Sequence, residues 1–109
     1  VDGWQLSNVP ILSSAALLAS LSLFEEAGFK NLRKKSVMLT GFLEFLLLSI
    51  PEHEKHFTIL TGMNPQERGC QLSILMLHDG KKIFNKLMKA GVIADWREPN
   101  VIRIAPVPL

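Results

Sequence analysis

One arginine, Arg103, stands where a side chain could bind the carboxylate of a ligand. It lies in the run VIRIA, and strand alternation places it on the face shared with Val101 and Ala105. A planar guanidinium there could hold a carboxylate through two parallel hydrogen bonds. Because arginine is mostly exposed in proteins, an edge-strand arginine facing water is the commoner meaning of such a pattern.

Two polar residues, Ser7 and Asn8, precede Pro10 at the expected start of a helix. Free backbone N–H groups and the helix dipole favour anions there, so a phosphate or another polar ligand could bind. Both residue types are also favoured N-caps, and proline is tolerated in the first turn. A plain N-cap is the alternative interpretation and the commoner one.

The histidines and the cysteine form no recognisable metal or nucleophile motif. His53, His56 and His78 are not followed by a fourth ligand at a diagnostic spacing, so we expect no metal. Cys70 falls on the apolar face of a predicted strand, which indicates a buried structural thiol. The sequence contains no Ser-His-Asp order, P-loop or dinucleotide glycine pattern, so no catalytic residue is assigned.

The sequence leaves two interpretations open for each of two other residues, Arg68 and Trp96. Arg68 could pair with an acid or face water. Trp96, in a predicted turn, could contact a ligand or cover the edge of a sheet, and the second is commoner.

Helical periodicity predicts two long helices in the first half of the chain. The first, residues 11–27, is apolar on almost every side, which is typical of a helix buried between other elements. Gly28 is expected to end it. The second, residues 31–49, carries one apolar stripe and ends before Pro51. The first helix needs more partner surface than this chain readily supplies.

The second half of the chain alternates between strand and helix patterns. Strands are expected at residues 57–61, 70–77, 92–94 and 101–105. A helix is expected at residues 81–90, with Asp79 as its N-cap. The sequence therefore predicts an α/β (α+β) lobe, in which two long helices precede a small, mainly antiparallel sheet covered by one helix.

The composition is that of one globular domain. The chain has 109 residues, 48% of them hydrophobic and 20% charged. A net charge of +2 is too small to indicate a nucleic-acid or membrane partner. A single cysteine and the lack of a signal-peptide pattern favour a cytoplasmic location. Because the chain starts without methionine and ends without a polar tail, we expect both ends to lie inside a longer protein.

Four stretches, taken together and in order, resemble kynureninase, the pyridoxal-phosphate enzyme that cleaves kynurenine to anthranilate and alanine. They are GWQLSN at 3–8, LRKKS at 32–36 with LTGFLE at 39–44, ERGCQL at 67–72, and DWREPN at 95–100 with IRIAPVPL at 102–109. Val9 stands where that family usually has a second proline. The resemblance spans nearly the whole chain.

The resemblance implies the aspartate-aminotransferase fold (fold type I), in which a small C-terminal domain closes over substrate bound to a large domain. Residues 1–28 would be the end of the large domain and a linking helix. Residues 29–109 would be the small domain, stopping before the family's closing helix. The resemblance further implies that Arg103 binds the substrate α-carboxylate, that Asn8 lines the cofactor pocket, and that Ser7 is a weaker substrate-binding candidate.

The resemblance also implies pyridoxal phosphate as cofactor, a homodimer, and a hydrolase of tryptophan catabolism acting on kynurenine or 3-hydroxykynurenine. The family's Schiff-base lysine and cofactor-binding residues lie upstream of the matched stretches, so we expect the fragment alone to be inactive. Two alternatives stay open. One is a non-catalytic interaction or small-ligand-binding module, and the other is a lobe of a different fold type I enzyme.

Overall fold

A computed structural model of the chain describes residue 8 and residues 10–109. In that part of the chain the helices are α1 (Ile11–Ala27), α2 (Phe29–Leu48) and α3 (Gly80–Lys89), and the strands are β1 (Phe57–Ile59), β2 (Leu72–Met76), β3 (Asp95–Arg97) and β4 (Val101–Ile104). Single 3-10 turns at His53–Lys55 and Pro65–Glu67 lie in the connections. The α/β small-lobe prediction and its order of elements are confirmed.

α1 and α2 meet at Gly28 with a bend of 79° between them. Gly28 has a φ of +76°, which glycine adopts without steric cost. The predicted bounds of α1 are confirmed, and α2 begins directly after the bend. No helix of the described residues is by itself long and apolar enough to cross a membrane, although α1 and α2 together satisfy those criteria as a bent pair.

α1 is exposed along almost its whole length and has no buried residue. Ile11 and Leu12, for example, are 77% and 87% exposed. The prediction that α1 is buried is therefore wrong for the described part of the chain. A helix that is apolar all round normally packs against other elements, so α1 presents an uncovered apolar surface.

The four strands form one antiparallel sheet in the order β1-β2-β4-β3. β2 and β4 are its interior strands. The alternation predicted for β2 is confirmed, because Leu72, Ile74 and Met76 are all buried and the residues between them are only partly so. β2 pairs with β4 so that Ile74 lies opposite Ile102.

The hydrophobic core lies on one face of this sheet. Its buried members are Phe57, Ile74, Met76 and Ile102. α3 covers that face with three partly buried side chains of its apolar stripe: Ile83, Phe84 and Leu87. Met88, also predicted to be buried, is 41% exposed because it lies at the edge of the stripe.

The third strand lies later in the chain than the sequence predicts. Residues 92–94 form no strand, and β3 is Asp95–Arg97 instead. The Val92 N–H donates to the Leu87 carbonyl, which closes α3 and takes that group out of the sheet. Trp96 consequently lies in an edge strand rather than a turn, and its ring lies 5.8 Å from that of Phe84. It packs against the helix that covers the sheet.

A bidentate ion pair joins α2 to the loop before β2. Nη1 and Nη2 of Arg68 donate to the two carboxylate oxygens of Glu44 at 3.0 and 2.6 Å. The two side chains are 5% and 12% exposed, so Arg68 pairs with an acid rather than facing water. The hydrogen bond from Arg68 lowers the pKa of Glu44, although burial acts in the opposite direction.

The start of α3 lies so close to the sheet that only glycine fits. A Cβ at Gly80 would lie 2.8 Å from the Met76 Cβ and 3.1 Å from the Trp96 ring. We expect Gly80→Ala to lower the free energy of unfolding by about 2 kcal/mol through overpacking. Urea unfolding of the protein that carries this chain measures it. Gly41→Ala in α2 is the control, because its Cβ would meet nothing within 4 Å.

The control should raise stability by about 0.5–1 kcal/mol, since alanine favours helix more than glycine does. If both variants changed stability in the same direction, the close contact at Gly80 would not be the cause.

The ion pair of Glu44 makes stability depend on pH. Because the pKa of Glu44 is lowered from 4.5, the pair stabilises the fold above that value and is lost as pH falls through the lower, folded-state pKa. Glu44→Gln leaves Arg68 without its ionic partner. We expect it to cost about 3 kcal/mol at pH 7 and clearly less in strong acid, as measured by urea midpoints.

Glu54→Gln is the matched control, because the Glu54 side chain is 75% exposed. It should change stability by less than about 0.5 kcal/mol at either pH. A loss for Glu44→Gln that is equally large at both pH values would contradict the ionic explanation.

Candidate functional site

Arg103 lies in β4, between β2 and β3, and is therefore not on an edge strand. Ile102 beside it is 2% exposed and belongs to the core, so alternation places Arg103 on the opposite face of the sheet. Its side chain is 31% exposed. The expectation of an edge strand is wrong, because β4 is interior, and the Arg103 side chain is only partly exposed to water.

Asp95, on the neighbouring strand β3, holds the Arg103 guanidinium. The two residues are register partners in the β3–β4 pair. The Nε of Arg103 donates to Asp95 Oδ2 at 2.7 Å, and Nη2 donates to the same oxygen. Arg97 donates its own Nε to that oxygen at 2.9 Å from the more exposed side. One carboxylate oxygen therefore accepts from two guanidinium groups.

The charge on this cluster is set by those hydrogen bonds. The hydrogen bond from Arg103 lowers the pKa of Asp95 from 3.8, that from Arg97 lowers it further, and desolvation opposes both. Asp95 is therefore an ionised carboxylate at neutral pH. The pair demonstrates, within this structure, that Arg103 binds a carboxylate.

One edge of the Arg103 guanidinium has no partner among the described residues. Asp95 takes the side edge, formed by Nε and Nη2. Within the described part of the chain, Nη1 donates to no residue. The end of the group, where Nη1 and Nη2 lie side by side, has the geometry that receives a second carboxylate in bidentate fashion.

Sequence reasoning missed Asp95 as a member of this site. The signal lies in the turn at Pro99 and Asn100, which joins two short strands. Pairing those strands as an antiparallel hairpin brings Asp95 opposite Arg103. A strand at residues 92–94, as the sequence predicts, would leave Asp95 outside the hairpin.

Asn8, itself among the described residues, makes no hydrogen bond to this cluster. It is exposed and precedes α1, whose N-cap position is Pro10 with no side-chain cap hydrogen bond. The N-cap interpretation of Asn8 is therefore wrong, because the helix begins only at Ile11. The length of α1, about 25 Å at the helical rise per residue, separates Asn8 from Gly28. Among the described residues no hydrogen bond joins Asn8 to Arg103, and Ser7 lies outside them.

The remaining candidates assemble into no larger site. His56 Nδ1 lies 3.2 Å from His78 Nε2, while His53 lies against Phe57. Over residues 10–109 and residue 8, no group of three or more histidine, cysteine, aspartate or glutamate side chains could hold a metal ion. Cys70 lies before β2 rather than within it, and it is only partly buried.

Comparison with known families gives one match that covers most of the chain. The model of the kynureninase C-terminal domain matches residues 32–109. This range contains α2 from Leu32 onward, α3 and all four strands, and with them Asp95 and Arg103. The matched region is therefore the sheet lobe together with most of the long helix before it.

Curated relatives are similar over nearly the whole chain. Kynureninase of Flavobacterium psychrophilum is 54% identical over an alignment of 109 positions that covers 99% of this chain and 26% of that protein. Kynureninases of Flavobacterium johnsoniae and Koribacter versatilis are 53% and 47% identical, and this chain covers 25% of each. The chain thus spans about a quarter of the length of these relatives. It belongs to the kynureninase C-terminal domain family.

Proposed function

We propose that the protein carrying this chain is a kynureninase-type hydrolase. It would use pyridoxal phosphate to cleave L-kynurenine or 3-hydroxykynurenine, releasing L-alanine and anthranilate or 3-hydroxyanthranilate. The relatives named kynureninase support the reaction class. One observation carries the role of Arg103. Its guanidinium binds the Asp95 carboxylate through Nε and Nη2, and the end formed by Nη1 and Nη2 donates to no other residue of the described chain.

In this proposal Arg103 binds and orients the substrate. Two parallel hydrogen bonds from a planar guanidinium fix a carboxylate in position and in rotation. Such a grip at the α-carboxylate holds the α-carbon in one orientation while the reaction proceeds, which converts binding into rate. Arginine stays protonated in proteins, so Arg103 would not itself transfer a proton.

The cofactor would be held mainly by residues outside this chain, because the family's Schiff-base lysine lies upstream of the matched stretches. Every lysine in residues 10–109 is exposed in the chain by itself. Bound pyridoxal phosphate supplies an electron sink for the substrate. We propose that its lysine and phosphate contacts come from other parts of the protein, that Asn8 lines the cofactor pocket with Ser7 as a weaker substrate-binding candidate, and that the chain by itself is inactive.

We also propose how this lobe sits in the whole protein. The large exposed apolar side chains of α1 need a partner surface, which the large domain of a cytoplasmic homodimer would supply. Residues 1–28 would then connect that domain to the lobe formed by residues 29–109. The apolar composition of α1 is what supports this arrangement.

Arg103→Ala in the full-length protein tests the proposal. Loss of the charged hydrogen bonds should cost about 3 kcal/mol of transition-state binding, or on the order of a hundredfold in kcat/KM for kynurenine. Inhibition by a substrate analogue that lacks the α-carboxylate should be unchanged. Steady-state kinetics with added pyridoxal phosphate measures both.

Lys82→Ala is the charge-matched control, because Lys82 is exposed on α3. It should leave kcat/KM within about twofold. Near-normal kinetics of Arg103→Ala would contradict the substrate-binding role, and a full-length protein with no kynurenine cleavage would favour the non-catalytic alternative.

A further inference from the structure

We propose that Asp95 is a positioning residue that holds the Arg103 guanidinium so that its Nη1 and Nη2 end faces the substrate. The inference rests on the proposed function of Arg103 and adds a residue to it. Asp95 would touch neither substrate nor cofactor and would act only through Arg103.

The backbone fixes the two residues beside each other. Asp95 and Arg103 are directly opposite in the β3–β4 ladder, where side chains on one face stand close enough to pair. The next residue, Trp96, lies opposite Ile102 and packs against Phe84. Core packing on one face of β3 thus anchors the carboxylate on the other face.

The position of the hydrogen bonds on the guanidinium decides what Asp95 does. Nε is part of the side-chain stem, and it donates to Asp95 Oδ2 at 2.7 Å. A bond at Nε, together with one at Nη2, sets the plane of the group as well as its position. A free arginine side chain has many rotamers, and fixing them beforehand lowers the entropy that ligand binding must remove.

A competing interpretation is that Asp95 blocks the site by occupying the place of the substrate carboxylate. That role would require Asp95 to take the Nη1 and Nη2 end of Arg103. The structure instead shows it on the Nε side, and Nη1 has no partner among the described residues. The two interpretations predict opposite changes in KM when the charge of Asp95 is removed.

Asp95→Asn in the full-length holoenzyme tests the inference. The variant keeps the size of the side chain but removes the charge that holds Arg103. We expect kcat/KM for kynurenine to fall on the order of tenfold, mainly through a higher KM, because the guanidinium loses its fixed orientation. Inhibition by an analogue without the α-carboxylate should not change. A merely structural defect would weaken that inhibition as well.

A double-mutant cycle with Arg103→Ala shows whether Asp95 acts through Arg103. In the Arg103→Ala background, Asp95→Asn should cause no further loss of kcat/KM. Asp79→Asn is the matched control, because Asp79 is exposed before α3 and its side chain makes no cap hydrogen bond. It should leave kcat/KM within about twofold.

Three results would overturn the inference: a lower KM for Asp95→Asn, an unchanged KM, or an equal loss in both backgrounds of the cycle. If Arg103→Ala itself left the kinetics unchanged, the proposed role of Arg103 would fail as well, so the two failures are distinguishable. The urea midpoint of Asp95→Asn, measured alongside, identifies any loss that comes from unfolding.

Discussion

Neighbouring side chains of a β-strand point to opposite faces of the sheet, and the rest of this structure depends on how β2 and β4 meet that constraint. Leu72, Ile74 and Met76 of β2 and Ile102 of β4 are buried. With these residues in the core, Arg103 must lie on the other face. A one-residue slip of β4 would turn its charged group into the core, so the packing of Ile102 sets the direction of the guanidinium.

The same constraint acts through β3, although that strand has only three residues. Trp96 packs against Phe84 on the core side, and Asp95 binds Arg103 on the other side. Apolar packing and carboxylate chemistry are therefore supported by one short edge strand. The Glu44–Arg68 ion pair acts elsewhere in the fold, where it joins α2 to the loop that leads into β2.

The sequence predicts those parts of the fold that arise from local periodicity. The alternation of β2 and the apolar stripe of α3 follow from spacing alone, and the bounds of α1 follow from Pro10 before it and Gly28 after it. The position of β3 does not, because the Val92 N–H closes α3 instead of joining the sheet, and residue types do not reveal that choice. The pairing of Asp95 with Arg103 depends on that strand. The proposed role of Arg103 rests on the family resemblance, since periodicity predicts only its face.

The charges of Asp95, Arg97 and Arg103 do not cancel. Two guanidinium groups share one carboxylate oxygen, so the cluster retains one unit of positive charge that Asp95 does not neutralise. One further carboxylate would balance the cluster, whereas a second anionic group would find no counter-charge there. In the proposed function, this residual charge matches a ligand group that carries a single negative charge.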